Sequence, residues 1–538
     1  MQKDNYSIPK RNTGGGEEVE TRPLYVEEWL DSLPYVDFKR TSRLLHEATR
    51  ATNSQPVKPT ARFELVQLYN RPYQYYVESQ IKTGAQHTLQ SIETMQEQVE
   101  ILKLIAVNLA YACKLSVDEA LKQKTMWRQS KPPLDALLAA LHYLSHALIF
   151  SFLEYAPVPK NVWRELHFVY DFTEGLGQHN AVLLPPGGKA GVDSISIAAA
   201  YKRIVMSSLA DPHHLPFGAI WEIYEQLGGW VQHVEIGRFA QPGNPGGSFV
   251  VNLDSDSRPI PLTKFDSSTG NDKLRLIDAS ALGGIIEEQL ERLQSGQGLA
   301  PGSKLSPYFA RAVLGHVQRS WGLPPNRYHP REPGEGTLEL TCSLNAVYYF
   351  LNSGNEFAPV IPNADADAEQ AEAAPASGDV APSSNYVVES WNLVDQGPGG
   401  FAVIKKDKPH YTVRVGDLIS IGHAPGSTGL REWTLGIIRW LMVHQNRTYR
   451  IGVQTIPGSI TPIAVRAVGG SGHDTLFRRA LLLTDRQRQS NQSLITERGL
   501  YQESRPLELL YTGRVLRANS GALIESAVGF EHFTLRPA

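Results

Sequence analysis

Apolar residues recur every three or four positions from the N-terminal region to about position 235, a spacing that places them on one face of a helix. The clearest case runs from about Gln86 to Lys114, where the apolar face is made of Ile92, Met95, Val99, Leu102, Ala106, Leu109 and Cys113. Ser116 then predicts the N-cap of another helix. Further helices are predicted over 133–155, 160–180, 192–210 and 215–232. We therefore expect a helical bundle over 21–235, preceded by a disordered tail over 1–20.

The pattern becomes mixed over 236–323, which we interpret as an α/β connecting segment. The runs GGSFVVNL and KLRLID predict short strands, and GGIIEEQLERL has apolar positions at helical spacing. A last helix is predicted from Ser306 to Trp321, because Gly322 and Pro324-Pro325 form a strong stop signal.

After Pro325 the pattern is typical of an antiparallel β-barrel. Short β-branched and aromatic runs alternate with Gly, Asp and Asn; they include TLELTCSLNAVYYFL, YVVESWNLVD, GFAVIKK, YTVRVGDLISIG, EWTLGIIRWLMV and YRIGVQTI. The stretch 357–385 is rich in Ala, Pro and acidic residues, which predicts a disordered insertion. Residues 325–465 are expected to form the barrel and 466–538 a C-terminal β-rich region. The predicted fold class is thus multidomain α+β.

Composition narrows the function without identifying it. The 538 residues carry a net charge of -3 and a pI near 6.6, which argues against a general DNA-binding protein. The N-terminus lacks the apolar core of a signal peptide, and no run of 18 or more apolar residues predicts a membrane span, so we expect a cytoplasmic protein. Cys113 and Cys342 fall in apolar patterns and are interpreted as buried thiols.

Two short motifs flank the start of the β-region. Arg327 and Arg331 form an RxxxR element before the first strand, and Asp395, Gly397, Gly399 and Gly400 belong to DQGPGG between two strands. Together they resemble the signature of the PilZ domain family, RxxxR followed by (D/N)xSxxG. The resemblance covers about residues 325–465 and implies a PilZ-like β-barrel that binds cyclic di-GMP, without a cofactor and without catalysis. It also implies a bacterial signalling protein that acts on an unidentified protein partner.

The chemistry of these residues suits a cyclic dinucleotide. Guanidinium groups can meet phosphates or the guanine O6/N7 edge bidentately, and arginine also stacks on purines. Asp395 can accept hydrogen bonds from a guanine, while the glycines allow the backbone to approach closely. The sequence separation between Arg331 and Asp395 is longer than the family usually has, but it falls to little more than half when 357–385 is set aside. A loop insertion of this kind costs little free energy.

Position 397 departs from the family pattern, because Gly397 stands where the motif has serine. This departure favours an alternative, a degenerate PilZ-like interaction scaffold that no longer binds nucleotide. Two simpler interpretations also stay open: the arginines could pair with Glu332 or Glu335 on a loop, and DQGPGG could be a plain turn. An enzyme of unrecognised type is a third alternative.

Two other short sequences could be taken for ligand or metal sites, and we interpret both as structural. Residues 278–283, DASALG, match DxSxxG literally but lead into a predicted helix, so Asp278 or Ser280 is expected to be its N-cap. His213 and His214 are adjacent, and adjacent residues rarely converge on one metal ion. We expect them to form part of a turn.

Overall fold

The chain forms two compact units, Met1–Asn326 and Arg327–Ala538, in a computed structural model. The structure describes residues 19–82, 92–122, 133–243, 245–266, 271–307, 310–323, 330–359, 386–422, 433–444, 447–468, 476–485, 492–527 and 529–538. Most of the predicted tail, Arg327 and the greater part of the predicted insertion lie outside these residues.

The described part of the first unit is mainly helical. Its helices are α1 (Pro23–Asp31), α2 (Phe38–Ser54), α3 (Pro59–Tyr76), α4 (Ile92–Lys122), α5 (Leu134–Leu153), α6 (Val162–Gly175), α7 (Ile197–Leu209), α8 (Ala219–Trp230), α9 (Ala281–Gln294) and α10 (Ala310–Trp321). Short elements join them: a π-helical turn (Val77–Lys82), the two-stranded pair β1 (Val182–Leu183) and β2 (Ile195–Ser196), and 3-10 turns at Pro212–His214, Val231–His233 and Leu262–Lys264.

Helix α4 corrects one prediction. Ser116 does not begin a new helix, because α4 continues through it to Lys122. The Ser116 hydroxyl instead donates a hydrogen bond to the carbonyl of Pro59, 2.9 Å away. Lys114, which lies just before it in the same helix, is also buried and pairs with Glu165 at 2.6 Å. Ser116 is therefore accommodated inside the helix by a tertiary hydrogen bond, although the sequence pattern placed it at a helix boundary.

Helix α5 is the most buried helix among the described residues. By length and composition it could cross a membrane, yet 94% of its most apolar 18 residues are buried inside the protein. Two of its polar side chains have partners on α3: Tyr143 donates to Asn70 at 2.9 Å, and His146 Nδ1 lies 2.8 Å from the hydroxyl of Tyr73. These properties describe the central helix of a packed bundle.

A small antiparallel sheet follows the bundle within the first unit. Its strands are β3 (Glu235–Arg238), β4 (Ser248–Asn252), β5 (Ile260–Pro261) and β6 (Leu274–Asp278), in the order β3-β6-β4-β5. The two predicted strands are confirmed as β4 and β6, and the predicted helix as α9. Asp278 accepts a hydrogen bond from the backbone N–H of Ser280 at 2.9 Å, so DASALG serves the start of α9. Ser280 occupies the N-cap position, but its own side chain makes no capping bond.

The second unit begins with a closed six-stranded barrel. Its ring order is β8-β9-β10-β13-β12-β11, with the short strand β7 added at β9. The bounds are β7 (Glu332–Pro333), β8 (Thr337–Cys342), β9 (Glu389–Gly397), β10 (Gly400–Lys405), β11 (Leu418–Gly422), β12 (Trp433–Val443) and β13 (Tyr449–Ile456). Trp391 and Val403 lie in its fully buried interior.

Helix α11 (Leu344–Leu351) corrects a second prediction, since the residues after Cys342 do not continue β8 as a strand. Ser343 turns the chain with a φ of 92°, and its side chain accepts a hydrogen bond from the N–H of Ala346 at 3.3 Å. Leu344, Val347 and Tyr348 then share one helical face, which is buried.

A second closed barrel completes the unit, in the order β14-β15-β16-β19-β18-β17. Its strands are β14 (Ser459–Ala467), β15 (Arg478–Thr484), β16 (Gln492–Thr496), β17 (Pro506–Tyr511), β18 (Arg514–Ser526) and β19 (Glu531–Pro537). One hydrophobic cluster joins α11, the first barrel and the second barrel; it includes Val347, Leu418, Leu481 and Phe530. The predicted fold class, multidomain α+β with a helical N-terminal region, a β-barrel and a C-terminal β-rich region, is confirmed.

Candidate functional site

The short strand β7 brings the two sequence motifs together. It pairs with the end of β9, so that Pro333 lies opposite Asp395. This pairing places Arg331, the residue before β7, beside the same carboxylate: Arg331 Nη1 donates to Asp395 Oδ1 at 2.5 Å. Both side chains remain partly exposed, at 30% and 22%. Arg331 therefore pairs with Asp395 rather than with Glu332 or Glu335.

The three motif glycines occupy the tight β9–β10 hairpin and differ in how much space each leaves for a side chain. Gly397 pairs with Gly400 across the turn. Gly400 has a φ of 152°, and a Cβ there would lie 2.0 Å from the carbonyl oxygen of Val453, so only glycine fits. A Cβ on Gly397 would lie 3.5 Å from the carbonyl of Pro330 and would meet ordinary contacts, while one on Gly399 would meet open space. Position 397 thus has room for a serine.

A second guanidinium lies near the Asp395 carboxylate and belongs to a residue outside the two sequence motifs. Arg450, on β13, places Nη2 3.6 Å from Asp395 Oδ2. Its guanidinium also lies 5.6 Å from the ring centroid of Trp440, on β12. Trp440 lies across Gly452, where a Cβ would fall 1.9 Å from the indole nitrogen. The sequence signal for Arg450 is the glycine two residues after it, Gly452, within a strand-like run. The strand register then places this glycine opposite Trp440.

Strand register explains why these groups share one surface. Asp395 lies opposite Ala402, Ala402 opposite Gly452, and Gly452 opposite Trp440. Residues paired in this way project from the same face of a sheet. Arg450 is two residues from Gly452 on β13 and so shares that face. Two guanidiniums, one carboxylate and an indole ring therefore form a partly exposed surface next to the glycine turn.

This surface has the chemistry of an anion site with a purine-compatible edge. Two arginines around a single carboxylate leave one positive charge in excess, and guanidinium forks match phosphate and guanine acceptors. The other residues proposed from the sequence are Gly397, Gly399 and Gly400, which lie in the adjoining turn, and Arg327, which falls outside the described residues. The structure thus brings together every described residue of the two motifs.

A buried carboxyl in the same barrel has a structural role. Asp417 accepts hydrogen bonds from the N–H of Arg414 at 2.8 Å and from the thiol of Cys342 at 3.7 Å. Burial raises the pKa of Asp417 to about 7 and raises the pKa of Cys342 well above that of a free thiol. Such a cysteine is a poor nucleophile. Both cysteines are buried and free, as the sequence predicted.

The described residues contain no group of three or more His, Cys, Asp or Glu side chains that could hold a metal ion. His213 and His214 lie in a 3-10 turn, as expected from the sequence, and His214 Nδ1 is 2.9 Å from Asp211 Oδ2.

Comparison with known proteins assigns almost the whole chain to consecutive domains. Residues 25–241 match the family model described as the N-terminal domain of the cyclic-di-GMP receptor FimW. Residues 248–385 and 363–462 match its middle PilZ domain, and residues 463–538 match its C-terminal β-barrel domain. The chain is also similar to the cyclic-di-GMP receptor FimW of Pseudomonas aeruginosa strain PAO1, at 22% identity, over 96% of this chain and 90% of that protein. No solved structure matches the chain significantly.

Proposed function

We propose, from the premise that this chain belongs to the FimW family and carries its middle PilZ domain, that it is a bacterial cyclic di-GMP receptor. In this proposal the protein acts in the cytoplasm as an effector rather than an enzyme, and passes the signal to a protein partner. The observation that supports it best is the contact between Arg331 and Asp395, which unites the two halves of the PilZ signature on one barrel surface.

The proposed binding surface consists of Arg331, Asp395 and the turn that contains Gly397, Gly399 and Gly400. Arg327, which precedes Arg331 in the same segment, would add a second guanidinium. On binding, the arginines exchange Asp395 for ligand phosphates or the guanine O6/N7 edge. The freed carboxylate then accepts hydrogen bonds from guanine N–H groups. Ordering of the arginine segment by the ligand is the proposed switch.

Arg450 and Trp440 extend this surface beyond the two motifs. Arg450 approaches the same carboxylate from β13, which is separated from β9 by β10, so a ligand that displaces Asp395 from Arg331 also meets Arg450. The Trp440 ring, over which the Arg450 guanidinium lies, offers a flat surface for a purine. We include both residues in the proposed site.

The test is calorimetric titration of the full chain with cyclic di-GMP. Hydrogen bonds to charged groups contribute about 1.5–3 kcal/mol each, so Arg331→Ala is expected to weaken binding by roughly ten- to a hundredfold. Arg450→Ala is expected to weaken it by a similar factor. Arg514→Ala removes an exposed arginine from the second barrel and serves as the matched control, which should bind like the wild type.

Three outcomes separate the proposals. Equal affinity of Arg331→Ala and wild type would remove the proposed site while leaving ligand binding intact. Loss in Arg331→Ala without loss in Arg450→Ala would confine the site to the motif residues. Absence of any heat with wild-type protein would favour the alternative, an interaction scaffold that has lost nucleotide binding, which the glycine at position 397 motivates.

A further inference from the structure

The chain that follows α11 runs onto the outer surface of the second barrel. Phe357 packs there against an apolar cluster of Ala464, Phe477 and Leu510. Its ring also meets Tyr348 edge-on, with centroids 5.6 Å apart, and the guanidinium of Arg479 lies 5.3 Å from its centroid. Phe357 therefore fixes the point at which the following segment, residues 360–385, leaves the described chain.

Three arginines lie on the side of the second barrel against which Phe357 packs. Arg479 lies beside Phe357, and Arg466 lies over Phe477 with its guanidinium 4.5 Å from the ring centroid. We call Arg466, Arg479 and Arg517 the arginine face. Register places Arg466, Glu508 and Arg517 in one row across β14, β17 and β18, and Arg479 beside Ala464 in the next row on the same side. Paired residues in such rows project from one face of the sheet.

Charge on the arginine face is only partly compensated. The single carboxylate of Glu508 serves two of its members: it lies 2.7 Å from Arg466 Nη2 and 3.5 Å from Arg517 Nε. Arg479 donates to the neutral amide oxygen of Asn345 at 3.2 Å. The Arg517 side chain is 73% exposed. Val515, whose position in the register adjoins Leu510, is 40% exposed. The face thus combines excess positive charge with exposed apolar surface.

The segment 360–385 has the complementary composition. It contains no Lys, Arg or His, and its acidic residues are Asp365, Asp367, Glu369, Glu372 and Asp379. The first of them lies far enough beyond Phe357 to reach about 26 Å from it when the chain is extended. Neighbouring strands are only about 5 Å apart, so the acidic residues can reach every arginine of the face.

We propose that the acidic segment 360–385 of this same chain docks on the arginine face of the second barrel. Two observations carry the proposal: the opposite charges of the two surfaces, and the position of Phe357, which delivers the segment to the face. Carboxylates of the segment supply the acceptors that Glu508 alone does not provide, and Val360 and Ile361 supply apolar side chains next to the anchor. The interaction is independent of cyclic di-GMP.

Distance measurement between spin labels on the full chain tests this docking. Labels are attached at Ala368→Cys in the segment and Thr512→Cys at the exposed tip of the β17–β18 hairpin, because the native cysteines are buried. Docking predicts a narrow distance distribution at low salt. In 1 M NaCl, where the Debye length falls to about 3 Å, the distribution should broaden at least about twofold.

Neutralisation of the segment supplies the decisive comparison. Asp365→Asn, Asp367→Asn, Glu369→Gln and Glu372→Gln together should broaden the distribution, as should Arg517→Gln alone. The matched control removes four exposed carboxylates from the first unit: Asp272→Asn, Glu287→Gln, Glu288→Gln and Glu291→Gln. This control should keep the narrow distribution.

Two results would overturn the proposal. The first is a distribution that is broad in wild type at low salt, or equally narrow after the segment is neutralised. The second is a narrow distance between two singly labelled chains in a mixture, which would assign the arginine face to the segment of a second copy.

Discussion

Asp395 is the residue on which the candidate site depends, because both arginines form ion pairs with its carboxylate. Its contacts with Arg331 and Arg450 are partly exposed, and exposed ion pairs contribute little free energy. The arginines are therefore positioned next to the glycine turn without being strongly sequestered. An anionic ligand that offers bidentate acceptors can replace the carboxylate at small energetic cost.

Gly397→Ser restores the hydroxyl of the motif at a position with room for it. The new Cβ would make ordinary contacts with Pro330 and Arg331, so the substitution is expected to fold normally. One additional hydrogen bond, about 0.5–1.5 kcal/mol, predicts cyclic di-GMP binding roughly two- to twelvefold tighter by calorimetry. Gly283→Ser, at an exposed glycine of α9 where an added Cβ meets no other atom within 4 Å, is the matched control. Binding gained only in Gly397→Ser, from a wild type that binds none, would support the scaffold alternative.

Asp417 predicts a dependence of stability on pH. Because burial raises its pKa to about 7, the folded protein retains a proton between about pH 4 and pH 7 that the unfolded chain has lost. The free energy of unfolding therefore falls as pH rises through this window, and the whole penalty is present above pH 7. Asn at this position keeps an oxygen for the N–H of Arg414.

Asp417→Asn is thus expected to be more stable than wild type by about 1–3 kcal/mol at pH 8, with the difference vanishing near pH 4. Urea denaturation at both pH values measures it. Glu335→Gln neutralises an exposed carboxyl of the same unit and should change neither value. A difference that is equal at pH 4 and pH 8 would contradict the titration of Asp417.

At the scale of elements, alternation and turn signals predicted the β-strands, but they could not identify α11. Its sequence, LNAVYYFL, has the β-branched and aromatic composition of a strand. It becomes a helix because Ser343 redirects the chain and because its apolar face is buried between two barrels, and neither condition is visible locally. For a related reason the sequence did not predict Arg450 as a site residue. Its position beside Asp395 depends on the register across β9, β10 and β13. Arg331 and Asp395 were found because a motif encodes them.

Ser343 should have opposite responses to two small substitutions. Ser343→Ala loses the hydrogen bond to the N–H of Ala346 and keeps a Cβ at a φ of 92°, so a cost of about 0.5–2 kcal/mol is expected. Ser343→Gly also loses the bond but relieves the backbone, and should cost only a few tenths of a kcal/mol. Thermal unfolding measures both, and an equal loss in the two variants would show that the backbone conformation is not strained.

At the scale of the whole molecule, one hydrophobic cluster joins the two barrels of the second unit, in addition to the core that the second barrel has inside it. Leu418 and Ile437 of the first barrel pack in the same cluster as Leu481 and Phe530 of the second. A bidentate ion pair adds to this contact, with Arg439 Nη1 and Nη2 2.5 and 2.9 Å from the carboxylate of Glu525. We infer that the two barrels unfold together.

Phe530→Ala tests this cooperativity. Removing a fully buried phenylalanine is expected to cost about 3–5 kcal/mol. Because the cluster is shared, hydrogen exchange should accelerate in peptides that cover β11 of the first barrel as well as in those of the second. Phe533→Ala, whose side chain packs in the internal core of the second barrel alone, is the comparison. Faster exchange confined to the second barrel in Phe530→Ala would show that the cluster between the barrels does not couple their unfolding.

The pairing of β7 with β9 holds Arg331 next to Asp395, although a long stretch of chain separates the two residues. Arg331 and Asp395 are joined through backbone hydrogen bonds and an ion pair, whereas the chain between them passes through β8, α11 and the acidic segment. Cleavage of one peptide bond between residues 360 and 385 would leave β7 paired with β9. We therefore expect a chain nicked there to keep the geometry of the candidate site.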